Sequence, residues 1–231
     1  TDAPDAADQQ QHQLYAALPD PFQLVASQLK PLDSSIKELV GSDHPVLAAA
    51  AAHFFELAGK RFRPTLVLLS ASAASGGVPA DIRQRRLAEI TEMIHAASLL
   101  HDDVIDLADQ RRGTRAAHKI YGNKVAVLAG DFLLARASLN LARLRDTTVV
   151  ELLSTVIEEM VAGEMMQVRA KPHELLEMEH YLSKTYRKTA ALMSLSCEAC
   201  GILGGQPEEV TLALRAYGRH LGIAYQVVDD L

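Results

Sequence analysis

The run IRQRRLAEITEMIHAASLLHDDVIDL, from Ile82 to Leu107, decides the fold that this sequence predicts. Its apolar residues recur with helical spacing, and Asp81, directly before it, is a typical helix-capping residue. At 1.5 Å per residue, about 26 residues make a helix about 39 Å long, which exceeds the length of an average globular helix. The run therefore predicts a protein built of long helices around a shared interior.

Most of the chain after residue 20 has the same helical periodicity. The further predicted helices are Pro21–Val40, Val46–Ala58, Thr65–Ala74, Val125–Leu144, Thr147–Val168, Glu174–Cys200 with a possible break, and Pro207 to the end. Strand signals are nearly absent, and no Asn-Gly or Asp-Gly hairpin turn occurs. We expect an all-α, single-domain bundle of long helices around a central cavity.

The two ends of the sequence differ from this pattern. The first residues are polar and without periodicity, and the chain begins at Thr1. We expect a disordered leader over 1–20, left from a precursor whose targeting segment is gone, and one domain over 21–231. The last residues, 226–231, stop in mid-pattern without a helix stop signal, which predicts that the C-terminal part of the domain is absent.

The composition is that of an ordinary soluble globular chain, with 48% hydrophobic and 23% charged residues. A formal net charge of −6 argues against a general nucleic-acid binder. Cys197 and Cys200 are too few for a disulfide framework or a four-ligand zinc site, so we expect inert core thiols in a reducing compartment. No uninterrupted apolar run of about 18 residues occurs, so no membrane span is expected.

The end of the long helix carries three carboxylates, in the run His101-Asp102-Asp103-Val104-Ile105-Asp106. Asp102 and Asp106 are four residues apart and share a helix face, with Asp103 one step round. Like charges this close are unfavourable unless a cation joins them, and carboxylate oxygens suit Mg²⁺. The preceding turns are mostly apolar, which places the carboxylates at the mouth of an apolar interior. The alternative is a solvated acidic face at a helix end.

Basic residues stand at three other places. Arg111 and Arg112 follow the carboxylates closely, where guanidinium groups suit a metal-bound anion. The run Gly59-Lys60-Arg61-Phe62-Arg63-Pro64 lies before a predicted helix N-terminus, where backbone N–H groups and the helix dipole favour phosphate. A third group lies at residues 184–188. The alternative for each is a solvated basic surface.

A second acidic pair, Asp229 and Asp230, follows Gln226 on an apolar helix. Burying two adjacent carboxylates there costs several kcal/mol per ion unless a positive group pairs with them. Acidic and basic groups that face each other around an apolar interior are what a hydrophobic diphosphate requires.

The order of these motifs resembles that of the trans-polyprenyl diphosphate synthases, over about residues 45–231. The motifs are Gly59-Lys60-Arg61-Phe62-Arg63-Pro64, His95 with His101-Asp102-Asp103 and Asp106, Arg111-Arg112-Gly113, Gly163-Glu164 with Gln167, Lys188-Thr189, and Gln226 with Asp229-Asp230. Within that family the sequence is most similar to the long-chain solanesyl or decaprenyl diphosphate synthases of the ubiquinone branch. The run His53-Phe54-Phe55 and the Gly163–Gln167 run suggest its mitochondrial members.

The resemblance implies an isoprenoid-synthase fold and a division of roles among the residues. The implied Mg²⁺ ligands are Asp102, Asp103, Asp106, Asp229 and Asp230. The implied contacts to isopentenyl diphosphate are Lys60, Arg63, His95 and Arg112. The implied contacts to the allylic diphosphate are Arg111, Lys188, Thr189 and Gln226. The residues expected to take part in catalysis are Asp102, Asp103, Asp106 and Lys188, with Glu164 and Gln167 lining the pocket.

The implied reaction is a Mg²⁺-dependent condensation of isopentenyl diphosphate with an allylic diphosphate, giving a long all-trans polyprenyl diphosphate for a quinone side chain. Ionising the allylic C–O bond leaves a carbocation and free diphosphate, so metal and cationic side chains are needed to stabilise the leaving group. Ala97 and Ser98 lie about 6 to 7.5 Å below Asp102 along the helix. Both are small, which favours a medium or long product, although small residues are also common helix fillers.

The resemblance also implies partners and a location. We expect a homodimer, or a heteromer with a synthase subunit, no nucleic-acid partner, and a peripheral membrane contact for product release. The expected location is the matrix side of the mitochondrion after transit-peptide removal, with the plastid as the alternative. In the family, the second aspartate-rich motif normally continues to a third aspartate and further helices. A non-catalytic or regulatory subunit that partners a full-length synthase is therefore a second hypothesis.

Overall fold

The computed structural model describes residues 18–41, 45–56 and 59–231, and confirms the all-α architecture. The helices before the central one are α1 Pro21–Leu24, α2 Ala26–Leu29, α3 Leu32–Val40, α4 Pro45–Glu56 and α5 Phe62–Ala74. The central helix and those after it are α6 Ile82–Ile105, α7 Ala117–Tyr121, α8 Asn123–Arg143, α9 Thr147–Arg169, α10 Met178–Thr185, α11 Ala191–Leu203 and α12 Glu208–Asp229. The remaining elements are a 3₁₀ turn Glu174–Leu176, a π-helical turn Tyr186–Ala190 and two short strands, β1 Gln110–Arg111 and β2 Thr114–Arg115.

Helix α6 is the centre of the bundle. Its start is fixed by a capping box, in which the Gln84 backbone N–H donates to Asp81 Oδ1 at 2.8 Å and the Asp81 N–H donates to Gln84 Oε1 at 3.0 Å. Leu87, Ile90 and Met93 are fully buried along it. The helix contacts α5, α8 and α11, so the residues of its last turns are held between several elements.

The break in the predicted helix Glu174–Cys200 lies at Glu177, whose backbone is extended. The π-helical turn Tyr186–Ala190 widens the helix between α10 and α11 without ending it. Wider turns of this kind occur mostly as single insertions, frequently at functional sites. The turn packs against α9 at Gly163, where a Cβ atom would come within 2.9 Å of both the Arg187 Cβ and the Lys188 backbone nitrogen. Glycine at 163 therefore allows α9 to approach the turn that carries Lys188 and Thr189.

Helix α12 also packs closely, through two glycines. A Cβ atom at Gly218 would lie 2.7 Å from the Met193 carbonyl oxygen, and one at Gly222 would lie 2.6 Å from the Ala190 Cα. Small residues at these points let α12 lie directly on α11 and the π-helical turn. This contact brings the end of α12 next to Thr189.

Two predictions about elements need correction. The predicted helix Pro21–Val40 is three helices, interrupted at Val25 and at 30–31, where proline lacks the N–H that would continue the helix. A short hairpin joins β1 to β2 through Arg112 and Gly113, both at positive φ. The sequence did not predict this hairpin, because its turn is Arg-Gly rather than Asn-Gly or Asp-Gly. Residues 1–17 of the predicted leader lie outside the described residues.

Within the described ranges, one helix, α8, is long and apolar enough by length and composition to cross a membrane, although no membrane span was expected. Its Ala126, Ala129 and Leu133 are fully buried in the protein core, and Lys124 and Asp131 interrupt its exposed side. Packing against α6 accounts for the apolar residues on the buried side of α8, whereas Val127, Leu128 and Leu139 are exposed.

The close contact of α12 with α11 predicts an effect of a single methyl group. Gly218→Ala should lower the free energy of unfolding by about 1–3 kcal/mol, because the added Cβ meets the Met193 backbone. Helix propensity alone predicts the opposite, an increase of about 1 kcal/mol in the free energy of unfolding. Urea unfolding followed by circular dichroism measures the difference. Ala216→Ser adds one heavy atom on the exposed side of α12 and should change stability by less than about 0.5 kcal/mol.

Candidate active site

The three carboxylates at the end of α6 do not point the same way. Asp103 is buried, and its Oδ1 accepts a hydrogen bond from Arg111 Nε at 2.9 Å and a second one from Arg111 Nη2. Asp102 is partly buried and lies 4.0 Å from Lys188 Nζ, while Asp106 is exposed. Asp103 therefore already bonds a cationic side chain, and its projection into one region with Asp102 and Asp106 stays a prediction. The hairpin folds Arg111 back over the helix end, where a buried carboxylate requires a positive partner.

This pairing also changes the expected metal cluster. Within 18–41, 45–56 and 59–231, no three His, Cys, Asp or Glu side chains lie close enough together to hold a metal ion. The acidic groups nevertheless influence one another. Burial raises the pKa of Asp102 to about 6, the nearby Glu164 and Asp106 charges add to that rise, and Lys188 opposes it.

Lys188 joins α6 to α9. Its Nζ lies 2.5 Å from Glu164 Oε2 and donates to Gln167 Oε1 at 3.3 Å, in addition to its contact with Asp102. The structure therefore brings together the predicted Gly-Glu-x-x-Gln motif, the predicted Lys-Thr motif and the first acidic motif. The ammonium group is held among oxygen acceptors, so it is positioned beside the apolar end of α6.

The second acidic motif lies close by on α12. Thr189 Oγ1 donates to Gln226 Oε1 at 2.9 Å, and Gln226 Nε2 donates to Asp230 Oδ1 at 2.9 Å. The Tyr181 hydroxyl donates to Asp230 Oδ2 at 2.7 Å. Because Lys188 and Thr189 are adjacent, this chain of bonds links the two acidic motifs. Sequence reasoning missed Tyr181, since nothing in its spacing marks it as a partner of Asp230.

Among the described residues, Asp229 and Asp230 are not packed among apolar side chains, and their pairing with a positive group stays a prediction. Both are exposed on the last turn of α12, where solvent offsets the cost of their charges. The hydrogen bonds from Tyr181 and Gln226 lower the pKa of Asp230 below its usual value. Only part of the apolar character of α12 comes from packing, through Leu214 and Leu221, because Leu212, Val227 and Val228 are exposed.

The basic run before α5 lies against α6, about two turns before its acidic end. Arg63 Nη1 donates to His95 Nε2 at 2.9 Å. Burial lowers the pKa of His95 well below its usual value, and the nearby Arg63 and Arg112 charges lower it further, so the imidazole is neutral and accepts this bond. A Cβ at Gly59 would come within 2.3 Å of Arg112 Nη1, so the glycine makes room for that guanidinium. Lys60 is exposed beside them.

Arg61 is a further residue that sequence reasoning did not assign. Its guanidinium bonds Asp33, Glu92 and the Phe55 carbonyl, and its side chain is only 10% exposed. In the motif Arg61 is one of several basic residues of the loop. It differs from Lys60 because Arg61 is buried and Lys60 is exposed. Its neighbours Arg63, His95 and Arg112 are residues that the resemblance assigns to isopentenyl diphosphate.

The two residues expected to influence product length lie below Asp102 on α6. Ala97 is fully buried, and the Ser98 hydroxyl donates to the His95 carbonyl at 2.9 Å. A cavity of about 560 Å³ opens elsewhere, between α9, α10 and α12, with Leu182 and Tyr186 in its wall. Its lining does not include Ala97 or Ser98, so this cavity is not the predicted product tunnel.

Comparisons with known proteins agree with the order of the motifs. The polyprenyl synthetase family model matches residues 44–231. Solanesyl diphosphate synthase 3, chloroplastic/mitochondrial, of Arabidopsis thaliana is 47% identical over 228 residues, covering 92% of this chain and 54% of that protein. Solanesyl-diphosphate synthase 1, mitochondrial, of Oryza sativa subsp. japonica is 48% identical over 228 residues, covering 92% and 53%.

The architecture is similar to that of a decaprenyl diphosphate synthase from Rhodobacter capsulatus. The TM-score is 0.85 at 38% sequence identity, and the match covers 91% of this chain and 64% of the other. The chain spans about half the length of the curated relatives it matches. The family match extends over most of the helical bundle and includes every motif described above, and the chain belongs to the polyprenyl synthetase family.

Proposed function

We propose that this chain forms the catalytic site of a long-chain trans-polyprenyl diphosphate synthase. The enzyme condenses isopentenyl diphosphate with an allylic diphosphate and extends an all-trans chain for a quinone side chain. The observation that carries the proposal is the crowding of positive charge around the last turns of α6. Desolvation by burial lowers the pKa values of both Arg63 and Arg112, and each also lies close enough to the other cations to be destabilised by them.

An anion is the natural partner for this cluster. Arg63 Nε is buried and has no hydrogen-bond partner in the described part of the chain. An unsatisfied buried donor costs free energy, and phosphate oxygens are strong acceptors for guanidinium groups. Arg63, Arg112 and the exposed Lys60 therefore suit the diphosphate of isopentenyl diphosphate, while neutral His95 orients Arg63 without repelling it.

The allylic diphosphate is assigned to the acidic side of the site. Lys188, Thr189 and Gln226 lie there in one network, and Lys188 supplies a positive charge beside Asp102. Loss of the diphosphate from an allylic carbon is promoted by positive groups already in place around the leaving oxygens. The apolar interior below α6 keeps water from the carbocation, and the second substrate approaches from the Arg63 side.

Magnesium fits the donor chemistry of this side. Asp102 and Asp106 share a face of α6. Burial raises the pKa of Asp102 and the like charges of Glu164 and Asp106 add to that rise, so a cation would stabilise the ionised carboxylate. Asp102 and Asp106 would supply one pair of carboxylates, and Asp229 and Asp230 of α12 a second pair, whereas Asp103 bonds Arg111. When bound, Mg²⁺ neutralises the charge that develops on the departing diphosphate.

The finer assignments belong to the same proposal. Helices α8 and α9 expose Val127, Leu128, Leu139, Val161 and Met165. A second copy, or a synthase subunit in a heteromer, would cover these residues, and a peripheral membrane contact would receive the product. The location is the mitochondrial matrix side or, as the alternative, the plastid; this rests on the printed names of the Arabidopsis and rice relatives.

Asp102 provides the central test of the function. In the protein that carries this chain, Asp102→Asn should reduce Mg²⁺-dependent condensation by about 100-fold or more, since a charged ligand is lost from the ion that neutralises the leaving group. Labelled isopentenyl diphosphate with farnesyl diphosphate as primer measures the rate. Asp109→Asn makes the same chemical change at an exposed carboxylate and should leave the rate unchanged. Turnover of Asp102→Asn within a few-fold of the unsubstituted protein would contradict the assignment.

Product length tests the position of Ala97. Ala97→Phe should shorten the product, because a ring below Asp102 blocks the path of the growing chain. Chromatographic sizing of the labelled products measures the change. Since Ala97 is fully buried and overpacking costs about 1–3 kcal/mol, Ser98→Phe at the partly buried neighbour gives a second variant. If both variants fold and the lengths of their products are unchanged, Ala97 and Ser98 do not line the path of the growing chain.

A further inference from the structure

We infer that Arg61 is a positioning residue, which fixes the loop that carries Lys60 and Arg63 and thereby sets the affinity for isopentenyl diphosphate. The inference rests on the proposed function, because it concerns the same diphosphate subsite. It assigns a role to a residue that the motif includes only as one more positive charge. The contacts of Arg61 distinguish it from its neighbours.

The Arg61 guanidinium bonds three separate helices. Nε donates to Asp33 Oδ1 on α3 at 2.8 Å, Nη1 donates to Glu92 Oε1 on α6 at 3.0 Å, and Nη2 donates to the Phe55 carbonyl on α4 at 3.0 Å. Every nitrogen of the planar group therefore has an acceptor. A lysine has a single nitrogen on a flexible stem and does not reproduce this geometry.

The backbone at Arg61 depends on these contacts. Its φ of 49° is in the left-handed region, which is unfavourable for a non-glycine residue and persists only when the surroundings hold it. The Arg61 carbonyl accepts hydrogen bonds from the Thr65 N–H at 3.0 Å and from Thr65 Oγ1 at 2.8 Å, which begin α5. The side chain therefore holds the turn that sets the directions of Lys60 and Arg63.

The charge of Arg61 is already neutralised. Glu92 is almost completely buried beside it, and Asp33 provides a second carboxylate. Arg63, in contrast, bonds a neutral imidazole and keeps an unpartnered donor. Arg61 thus acts on the ligand through its neighbours rather than by contact with phosphate.

Glu92 and His95 are three residues apart on α6, so they lie on one face of that helix. Arg61 and Arg63 bond them respectively, which fixes the loop to α6 at two adjacent points. Asp33 adds a third attachment from the N-terminal helices. Its side chain is 52% exposed, so its substitution disturbs Arg61 without leaving a buried cavity.

The experiment measures isopentenyl diphosphate binding by isothermal titration calorimetry, without primer and therefore without turnover. Arg61→Lys should weaken binding about tenfold, and Asp33→Asn about two- to threefold, as expected for the loss of one or part of one charge-assisted contact. Binding of farnesyl diphosphate to the same variants should be unchanged. Glu38→Gln makes a similar change at an exposed position of α3 and should bind as the unsubstituted protein does.

A stability control separates positioning from folding. Loss of Arg61 leaves Glu92 buried and unpaired, so the double variant Arg61→Gln/Glu92→Gln removes both charges. If it recovers the unfolding midpoint but not the affinity for isopentenyl diphosphate, the positioning role is supported. If both recover, or if the farnesyl diphosphate affinity falls equally, the role is only structural and the inference is overturned.

The result for Arg63→Ala separates this inference from the proposed function. If Arg63→Ala loses isopentenyl diphosphate binding while Arg61→Lys keeps it, the positioning inference is wrong and the diphosphate subsite stands. If neither variant loses binding, the assignment of the subsite fails, and the positioning inference fails with it.

Discussion

The buried charges along the last turns of α6 are the constraint on which the rest of the structure depends. Four groups of this helix each pair with a basic side chain from another element. The pairs are Glu92 with Arg61, His95 with Arg63, Asp102 with Lys188, and Asp103 with Arg111. An unpaired charge in such a position costs several kcal/mol. These pairs therefore fix the positions along α6 at which three elements pack, namely the loop before α5, the hairpin and the π-helical turn.

These pairs divide the site into two sides. On one side Arg63 and Arg112 lie close together, and Arg63 Nε has no hydrogen-bond partner among the described residues, which favours an anion. On the other side Asp102 and Glu164 share a single ammonium group, that of Lys188. A reaction in which diphosphate leaves and a carbocation forms needs both kinds of surface close together. Here the two sides lie about two turns apart along α6, roughly 10 Å.

The fold was predictable from the sequence because helical periodicity persists over long runs. The predicted helix Ile82–Leu107 ends within two residues of the observed one, since the Asp81 cap and the apolar spacing are local properties. The partner of Asp103 was not predictable in this way. It depends on an Arg-Gly turn that places Arg111 over the helix end, and that turn has no strong signal in the sequence.

The candidate site shows the same division between local and tertiary information. The order of the motifs along the chain is enough to group Lys188, Thr189 and Gln226, and the packing of α12 through Gly218 and Gly222 explains why they meet. The role of Arg61 could not be derived from that order, because spacing gives the charge of a residue but not its burial. The guanidinium of Arg61 is buried and fully hydrogen-bonded, and this distinguishes Arg61, which holds the loop, from Lys60 and Arg63, which the loop presents. In the proposed subsite, Arg61 would hold the loop through its bonds to the protein, while Arg63 would meet the ligand.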